Sequence, residues 1–322
     1  MKPPKVSVIV PIFNVEKYIQ RCAVSLFEQT LDDVEYIFVN DCTPDKSLNV
    51  LQDVINEYPT RRNYIKIVNH EVNKGLATAR NSGFAQATGD YVLNVDSDDW
   101  CDTKMLELLY AQAIEHESDI VWCDFYYASP DGTVGKCTQR TVEEPKILSK
   151  AIVTGKIHGF VWNKLIRRKL YLEHGISSKD GINICEDYNL TAKLTFCADK
   201  VSYCPKCLYY YFQRNDSLMG CIDRSRILKM VGDRRIAHED VLAFLGSDSI
   251  VDDYLKEYGI CFWNKPYLYL KDRGLQKQWK RSCSISIYRI LKNPYIRRID
   301  KLNYITLKLN VNFLYKLYLS WR

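Results

Sequence analysis

This 322-residue chain has no apolar run that approaches the roughly 18 residues a membrane span requires. Its first apolar run, Val6–Val10, is too short for a signal peptide and is broken by Pro11. Together these absences predict a cytoplasmic protein. There is no GxxxxGK[ST] phosphate loop and no GxGxxG turn, which argues against P-loop enzymes and dinucleotide dehydrogenases. The stretch Pro11–Lys17 after that run has no glycine, so it is not the Gly-rich basic loop of a pyrophosphorylase. No internal repeat and no low-complexity segment is present. Cysteine is plentiful, at twelve, but scattered from Cys22 to Cys283, which is not a disulfide framework in a chain of this length. The pair Cys204-Pro205-Lys206-Cys207 finds no second pair and no nearby His spacing to complete a zinc site. The sequons at Asn189 and Asn215 carry no weight without a secretory signal.

What is present is ordinary in bulk and uneven in charge. Hydrophobic content of 47% and charged content of 26% are those of a globular protein with one large domain or two smaller ones. Residues 265–322 carry fourteen Lys or Arg against Asp272 and Asp300, a net of +12, which leaves −6 on residues 1–264. Such asymmetry marks a surface that meets a polyanion.

Apolar runs at 6–13, 34–39, 64–68 and 91–95 alternate with helical spacing at 16–29, 47–57 and 75–87. Asn14 is a candidate N-cap for the first of these helices. Crossovers of this length predict parallel strands in a doubly wound α/β sheet. Further along, 103–115, 143–155, 161–174 and 186–197 read as helices, and 119–128 and the Tyr-rich 201–212 as strands. Beyond Asp216 the chain reads as mostly helical and basic, although 305–313 alternates as a strand would. A boundary near residue 220 follows from the change of pattern.

The most informative run is Val95-Asp96-Ser97-Asp98-Asp99, three carboxylates within four residues at the end of an apolar strand. Crowded carboxylates repel one another unless a cation sits among them, and hard divalent ions prefer oxygen ligands. In open α/β sheets ligands bind at the carboxyl ends of strands. The run therefore predicts a metal site that holds a phosphate-bearing ligand; the bland alternative is a capping cluster for the helix at Thr103.

Six segments stand in an order that resembles family 2 glycosyltransferases of GT-A fold: VSVIVPIFNVEKYI (6–19), VEYIFVNDCTPDKS (34–47), NHEVNKGLATARNSG (69–83), GDYVLNVDSDD (89–99), VWNKLIRR (161–168) and CEDYNL (185–190). They span about 180 residues. The resemblance implies a GT-A nucleotide-sugar domain over 1–220 with a mostly parallel central sheet, and a helical basic region over 221–322. It implies an inverting, metal-dependent, non-processive transferase that moves a sugar from a UDP-sugar to a glycan or lipid-linked acceptor in surface polysaccharide synthesis. Pro11, Phe13 and Asp41 match its uridine-contacting positions; Asn73, Lys74 and Arg80 fall in its third nucleotide-contacting segment; Asp96 and Asp98 match its metal motif, with Asp98 the ligand of Mn²⁺ or Mg²⁺, Asp96 facing the ribose or the metal's waters, and Ser97 a donor-binding position between them. Asp187 matches the general base; Glu186 beside it, Trp162 and Lys164 are candidates for the acceptor pocket, and His158 lies in the same segment, although a lone histidine is more commonly structural.

Each position has a plainer reading. Pro11 and Phe13 end a strand and pack, Arg80 pairs with a carboxylate, Asp99 is structural, and Glu186 and Asp187 favour a helix N-terminus. The chain departs from the family at Asn40, where Asp is common, and at Cys42, where Gly is frequent. The QxxRW motif of processive relatives is missing. The basic tail, with Phe313, Leu314, Leu317, Tyr318 and Trp321 along one helical face, fits either peripheral contact with an anionic membrane or a packed lid. Nucleic acid is not an expected partner. A non-catalytic nucleotide-sugar-binding or scaffold protein is the alternative, and UDP release in the presence of acceptor separates the two.

Overall fold

The computed structural model describes residues 3–139, 142, 144–214, 224–262 and 272–311. They fall into two compact units, 1–221 and 222–322.

The first unit opens with β1 (Val6–Ile12), α1 (Ile19–Phe27), β2 (Val34–Asn40), α2 (Ser47–Glu57), β3 (Ile65–Asn69), α3 (Leu76–Gln86) and β4 (Tyr91–Asn94). It continues with β5 (Trp100–Cys101), α4 (Met105–Glu115), β6 (Ile120–Ala128), β7 (Val134–Cys137), α5 (Pro145–Val153), β8 (Lys164–Arg167), α6 (Arg168–His174), α7 (Glu186–Cys197) and β9 (Val201–Phe212). The strands form one nine-stranded sheet in the order β3-β2-β1-β4-β8-β6-β9-β5, with β7 added to β6. The β3-β2-β1-β4 half is parallel, as the alternation predicts. Beyond it, β8 is antiparallel to both β4 and β6, whereas β6 and β9 run parallel, so the whole sheet is mixed.

Alternation along β1 shows why both faces are covered. Val6, Val8, Val10 and Ile12 enter the core shared with α1 and α2, while Ile9 joins Ile37, Val39 and Ala79 under α3. Helix α3 sits close because Gly83 faces the sheet. A Cβ there would stand 2.4 Å from Ile9 Cγ2 and 3.1 Å from Val39 Cγ2. Gly83→Ala is therefore expected to cost about 1–3 kcal/mol by overpacking, read as a lower urea midpoint.

Three local expectations are corrected. Residues 161–174 are a turn, β8 and the short α6, because 164–167 pair on both sides with β4 and β6, and that ladder overrides the apolar spacing. Asn14 is not the cap of α1, which starts at Ile19; Asn14 takes a left-handed φ of 57° and donates its N–H to Thr43 Oγ1. The 305–309 stretch lies in a helix, not a strand. The Cys204–Cys207 pair forms an irregularity in β9: Cys123 opposes Cys204 and Asp124 opposes Cys207.

The second unit contains α8 (Arg224–Leu245), α9 (Asp253–Phe262), α10 (Arg273–Ser282), α11 (Ile287–Lys292) and α12 (Arg298–Leu309). Asp272 caps α10 through the N–H groups of Gly274 and Leu275, and Ser286 caps α11 through that of Arg289. Trp279, Tyr258, Ile290, Tyr304 and Leu307 are at the centre of its core. Among the described residues no helix is long and apolar enough to cross a membrane. The aromatic face proposed for 313–321 lies outside the described residues.

Candidate active site

The carboxyl ends of β1, β2 and β4 place Phe13, Asp41 and Asp96 along one edge, and β1 is where strand order reverses, with β2 on one side and β4 on the other. Pro11 is buried in β1 opposite Val39, whereas Phe13 is 45% exposed at the strand's end. Asp41 is buried. Its Oδ1 accepts from the Lys74 N–H at 2.8 Å and lies 2.7 Å from His70 Nδ1; its Oδ2 accepts from the Gly75 N–H at 2.8 Å. The Asn73 amide donates to its carbonyl at 3.3 Å. His70 Nε2 in turn lies 2.8 Å from Ser82 Oγ on α3. Asp41 thus fixes the 70–75 loop, and its carboxylate keeps little free acceptor capacity for a base. The Lys74 side chain remains exposed.

The three clustered carboxylates have different surroundings. Asp99 is fully buried and accepts from the Tyr209 hydroxyl and the Phe212 N–H, both at 2.7 Å. Burial, followed by the Asp98 and Asp96 charges, holds its carboxyl well above the usual range. Tyr209 Oη also accepts from the Asp96 N–H at 3.1 Å, so one tyrosine on β9 shapes the whole turn. Asp96 Oδ1 accepts from Arg80 at 2.8 Å. Ser97 is buried. Asp98 is 26% exposed, much as Asp96 is at 25%, with Arg214 Nη1 3.3 Å from its Oδ2 and Arg21 Nη2 3.1 Å from its carbonyl.

Arg80 connects this turn to α7. It is 3% exposed and donates to Asp96 Oδ1 and Glu186 Oε1, each at 2.8 Å. Burial alone would lower its pKa, but Asp96 and Glu186 outweigh that and raise it. The plainer reading of Arg80, a pair with carboxylates, describes its contacts. Glu186 is buried in that ion pair; burial and then the Asp187 charge push its carboxyl up, with Arg80 opposing. Asp187, one residue on, is less enclosed and accepts from the Tyr188 N–H at 2.7 Å; burial raises its carboxyl too, with Arg80 opposing.

Two acceptor-pocket candidates are corrected. Trp162 is 2% exposed and stacked on Tyr209 at 4.3 Å, so it supports the site from within and cannot touch an acceptor. Lys164 is fully buried. Its Nζ donates to His158 O at 3.1 Å, Phe160 O at 2.6 Å and Asn163 Oδ1 at 2.9 Å, using all three ammonium donors. Burial pulls its pKa down to about 7, against the Asp187 charge. Lys164→Met takes the donor from one buried and two part-buried oxygens and is expected to destabilise the fold by about 1–3 kcal/mol for each that water or another group does not satisfy, measured by urea unfolding. His158 is exposed and stacks on Phe160.

The sequence reading missed His70, Tyr209 and Arg214. Only the tyrosine-rich run 201–212 hinted at them, and only for Tyr209. A cleft of about 510 Å³ beside α1 and β5, lined by Lys17, Arg21, Trp100 and Thr103 among others, includes none of the expected site residues.

Among the described residues no group of three or more His, Cys, Asp or Glu side chains is placed to hold a metal. A single outward carboxylate still suits an ion that takes its remaining ligands from substrate phosphates and water. Asp98, paired with Arg214, and Asp96, paired with Arg80, are the two carboxylates of the turn that reach solvent, and Asp99 is buried.

The model of the family described as "Glycosyl transferase family 2" matches residues 7–175. EpsH of Bacillus subtilis (strain 168), which bears the name of a glycosyltransferase, is 31% identical over 310 residues, covering 91% of this chain and 83% of EpsH. The poly(ribitol-phosphate) beta-N-acetylglucosaminyltransferase TarS of Staphylococcus aureus is 29% identical over 215 residues, 66% of this chain and 36% of TarS. The structure of TarS residues 1–349 with UDP-GlcNAc superposes with a TM-score of 0.69 at 22% identity, covering 95% of this chain and 91% of that one. The chain belongs to glycosyltransferase family 2.

Proposed function

We propose that the first unit is the catalytic domain of an inverting, metal-dependent, non-processive glycosyltransferase that uses a UDP-sugar and extends a glycan or lipid-linked acceptor in surface polysaccharide synthesis. The observation that carries this reading is the bridge Asp96–Arg80–Glu186, which holds the outward Asp98 and the adjacent Asp187 on one connected framework. Similarity to TarS, whose structure contains UDP-GlcNAc, favours a uridine donor. Phe13 offers a ring face for the base. Asn73, Lys74 and Asp41 form the loop beside it, with Asp41 mainly holding that loop in place.

Asp98 would hold a Mn²⁺ or Mg²⁺ ion shared with the donor diphosphate, which when bound offsets charge on the departing UDP. Asp187 takes the proton from the acceptor hydroxyl as that oxygen attacks the anomeric carbon from the face opposite the diphosphate. The anomeric C–O bond breaks, UDP leaves, and the configuration inverts. Glu186 is tied to Arg80, so the pair divides into one orienting carboxylate and one base. Release of UDP from a panel of UDP- and GDP-sugars, with and without Mn²⁺, tests the reading; metal-independent release, or preference for GDP-sugars, overturns it.

The basic second unit is proposed as a surface for anionic lipid. Removing residues 300–322 would take Tyr304 and Leu307 out of its core, so charge reversal is the cleaner test. Lys277, Arg281 and Arg298 are exposed, and Lys277→Glu/Arg281→Glu/Arg298→Glu is expected to weaken sedimentation with phosphatidylserine vesicles, at about 1 kcal/mol per removed charge. The wild-type signal should fade with salt. Equal sedimentation of both proteins refutes it.

A further inference from the structure

A continuous stack of rings runs from the carboxylate turn to the protein surface. Tyr209 stacks on Trp162 at 4.3 Å and 13°, Trp162 on Phe160 at 4.7 Å and 15°, and Phe160 on His158 at 4.9 Å and 11°. The inner end is fully buried and the outer end is exposed. Tyr211 lies nearly parallel beside Trp162, and Phe125 closes the stack edge-on. Packing alone accounts for the inner rings. It gives no reason for the stack to continue, in register, to an exposed imidazole.

The loop that carries the outer rings is fastened to the turn that carries Asp187. Lys164 gathers the carbonyls of His158 and Phe160. Thr191 Oγ1 lies 2.8 Å from both Gly159 O and Asp187 O. Gly159 packs so closely that a Cβ would stand 3.0 Å from Tyr188 Cα. Partial burial, aided by the Lys164 charge, lowers the His158 pKa.

We infer that the outer end of the stack, His158 backed by Phe160, is the acceptor subsite, and that it takes a cyclic sugar laid flat on the imidazole. The π face of a ring is electron-rich. One face of a pyranose presents several C–H bonds, apolar and slightly positive, while its hydroxyls point outward to water or to Asp187. An acyclic polyol phosphate has no such face. This deepens the glycosyl-transfer reading and rests on it only in treating Asp187 as the base that the bound sugar must reach.

The test is saturation-transfer NMR on the full chain with methyl β-D-glucopyranoside, methyl β-D-galactopyranoside and ribitol 5-phosphate as probes. Saturation is expected on the ring C–H protons of at least one pyranoside. His158→Ala should weaken that pyranoside about tenfold, the worth of one good ring contact. His158→Phe, which keeps a flat ring, should retain it, and ribitol 5-phosphate should not respond to either change. Thermal melting establishes that both variants are folded at the temperature used. The proposal is overturned if neither pyranoside binds at millimolar concentration, if alanine and phenylalanine at 158 behave alike, or if ribitol 5-phosphate alone depends on His158. Donor turnover is scored separately on the wild type. Pyranoside binding without UDP release would leave the platform standing and remove the transferase reading; UDP release without pyranoside binding would do the reverse.

Discussion

Asp187→Asn is expected to reduce transfer by about 10²–10⁴ while leaving UDP affinity unchanged. An amide is nearly the same size and keeps the contact with the Tyr188 N–H through its oxygen, but it cannot take the proton of an attacking hydroxyl. Glu186→Gln should lose less. Its oxygen still accepts from Arg80, and only the charge of the pair is lost. The pH profile gives an independent readout. Burial raises the Asp187 carboxyl, with Arg80 opposing. A base must be ionised, so the acidic limb of kcat should lie above the pH of an ordinary aspartate and disappear in Asp187→Asn. Arg80, Asp96 and Lys164 act on that carboxyl, and its charge in turn acts on Glu186, so the limb belongs to the cluster as a whole. If Glu186→Gln proves the more damaging change, the two roles are exchanged.

Asp98→Ala should remove the dependence of UDP binding on Mn²⁺ and abolish transfer, with melting temperature little altered. Asp98 is the motif position expected to meet the metal, and its 3.3 Å pair with Arg214 is partly exposed, so losing it should cost the fold little. Asp99→Ala should behave differently. Its carboxylate holds the Tyr209 hydroxyl and the Phe212 N–H in the interior, so the first loss there is stability. Calorimetric titration of UDP with and without Mn²⁺, beside thermal melting, separates these outcomes. Equal Mn²⁺-dependent affinity in Asp98→Ala and wild type would refute the metal assignment.

The parallel half of the sheet was legible because its strands are apolar runs at regular spacing, each followed by a helix-length segment. Residues 161–174 were not, because Val161, Leu165 and Ile166 satisfy helical spacing while their backbone is claimed by two neighbouring strands. The carboxylate run was legible as a strand-end cluster, and Asp99, now seen to be buried, could already be set aside as structural. The different surroundings of Glu186 and Asp187 were not legible, since adjacent residues look equivalent until Arg80, 106 positions away from Glu186, is seen to hold one of them. Trp162 and Lys164 looked functional in a row of polar and aromatic residues. Burial, which no local pattern revealed, makes them supports. The sheet brings Tyr209 to Asp99 from 110 residues away, beyond the reach of any motif.

Tyr209 belongs to two structures at once, through its hydroxyl to the carboxylate turn and through its ring to the aromatic stack. This sets a gradient of freedom for redesign. Exchanges at His158 touch solvent and can be made one at a time to retarget the enzyme. Exchanges at Trp162 must be matched by its neighbours. At Tyr209 no exchange is private: a new ring disturbs both the carboxylate turn and the stack, so if the stack's outer end is the acceptor subsite proposed above, variation in acceptor choice is expected to accumulate there and to stop short of its root.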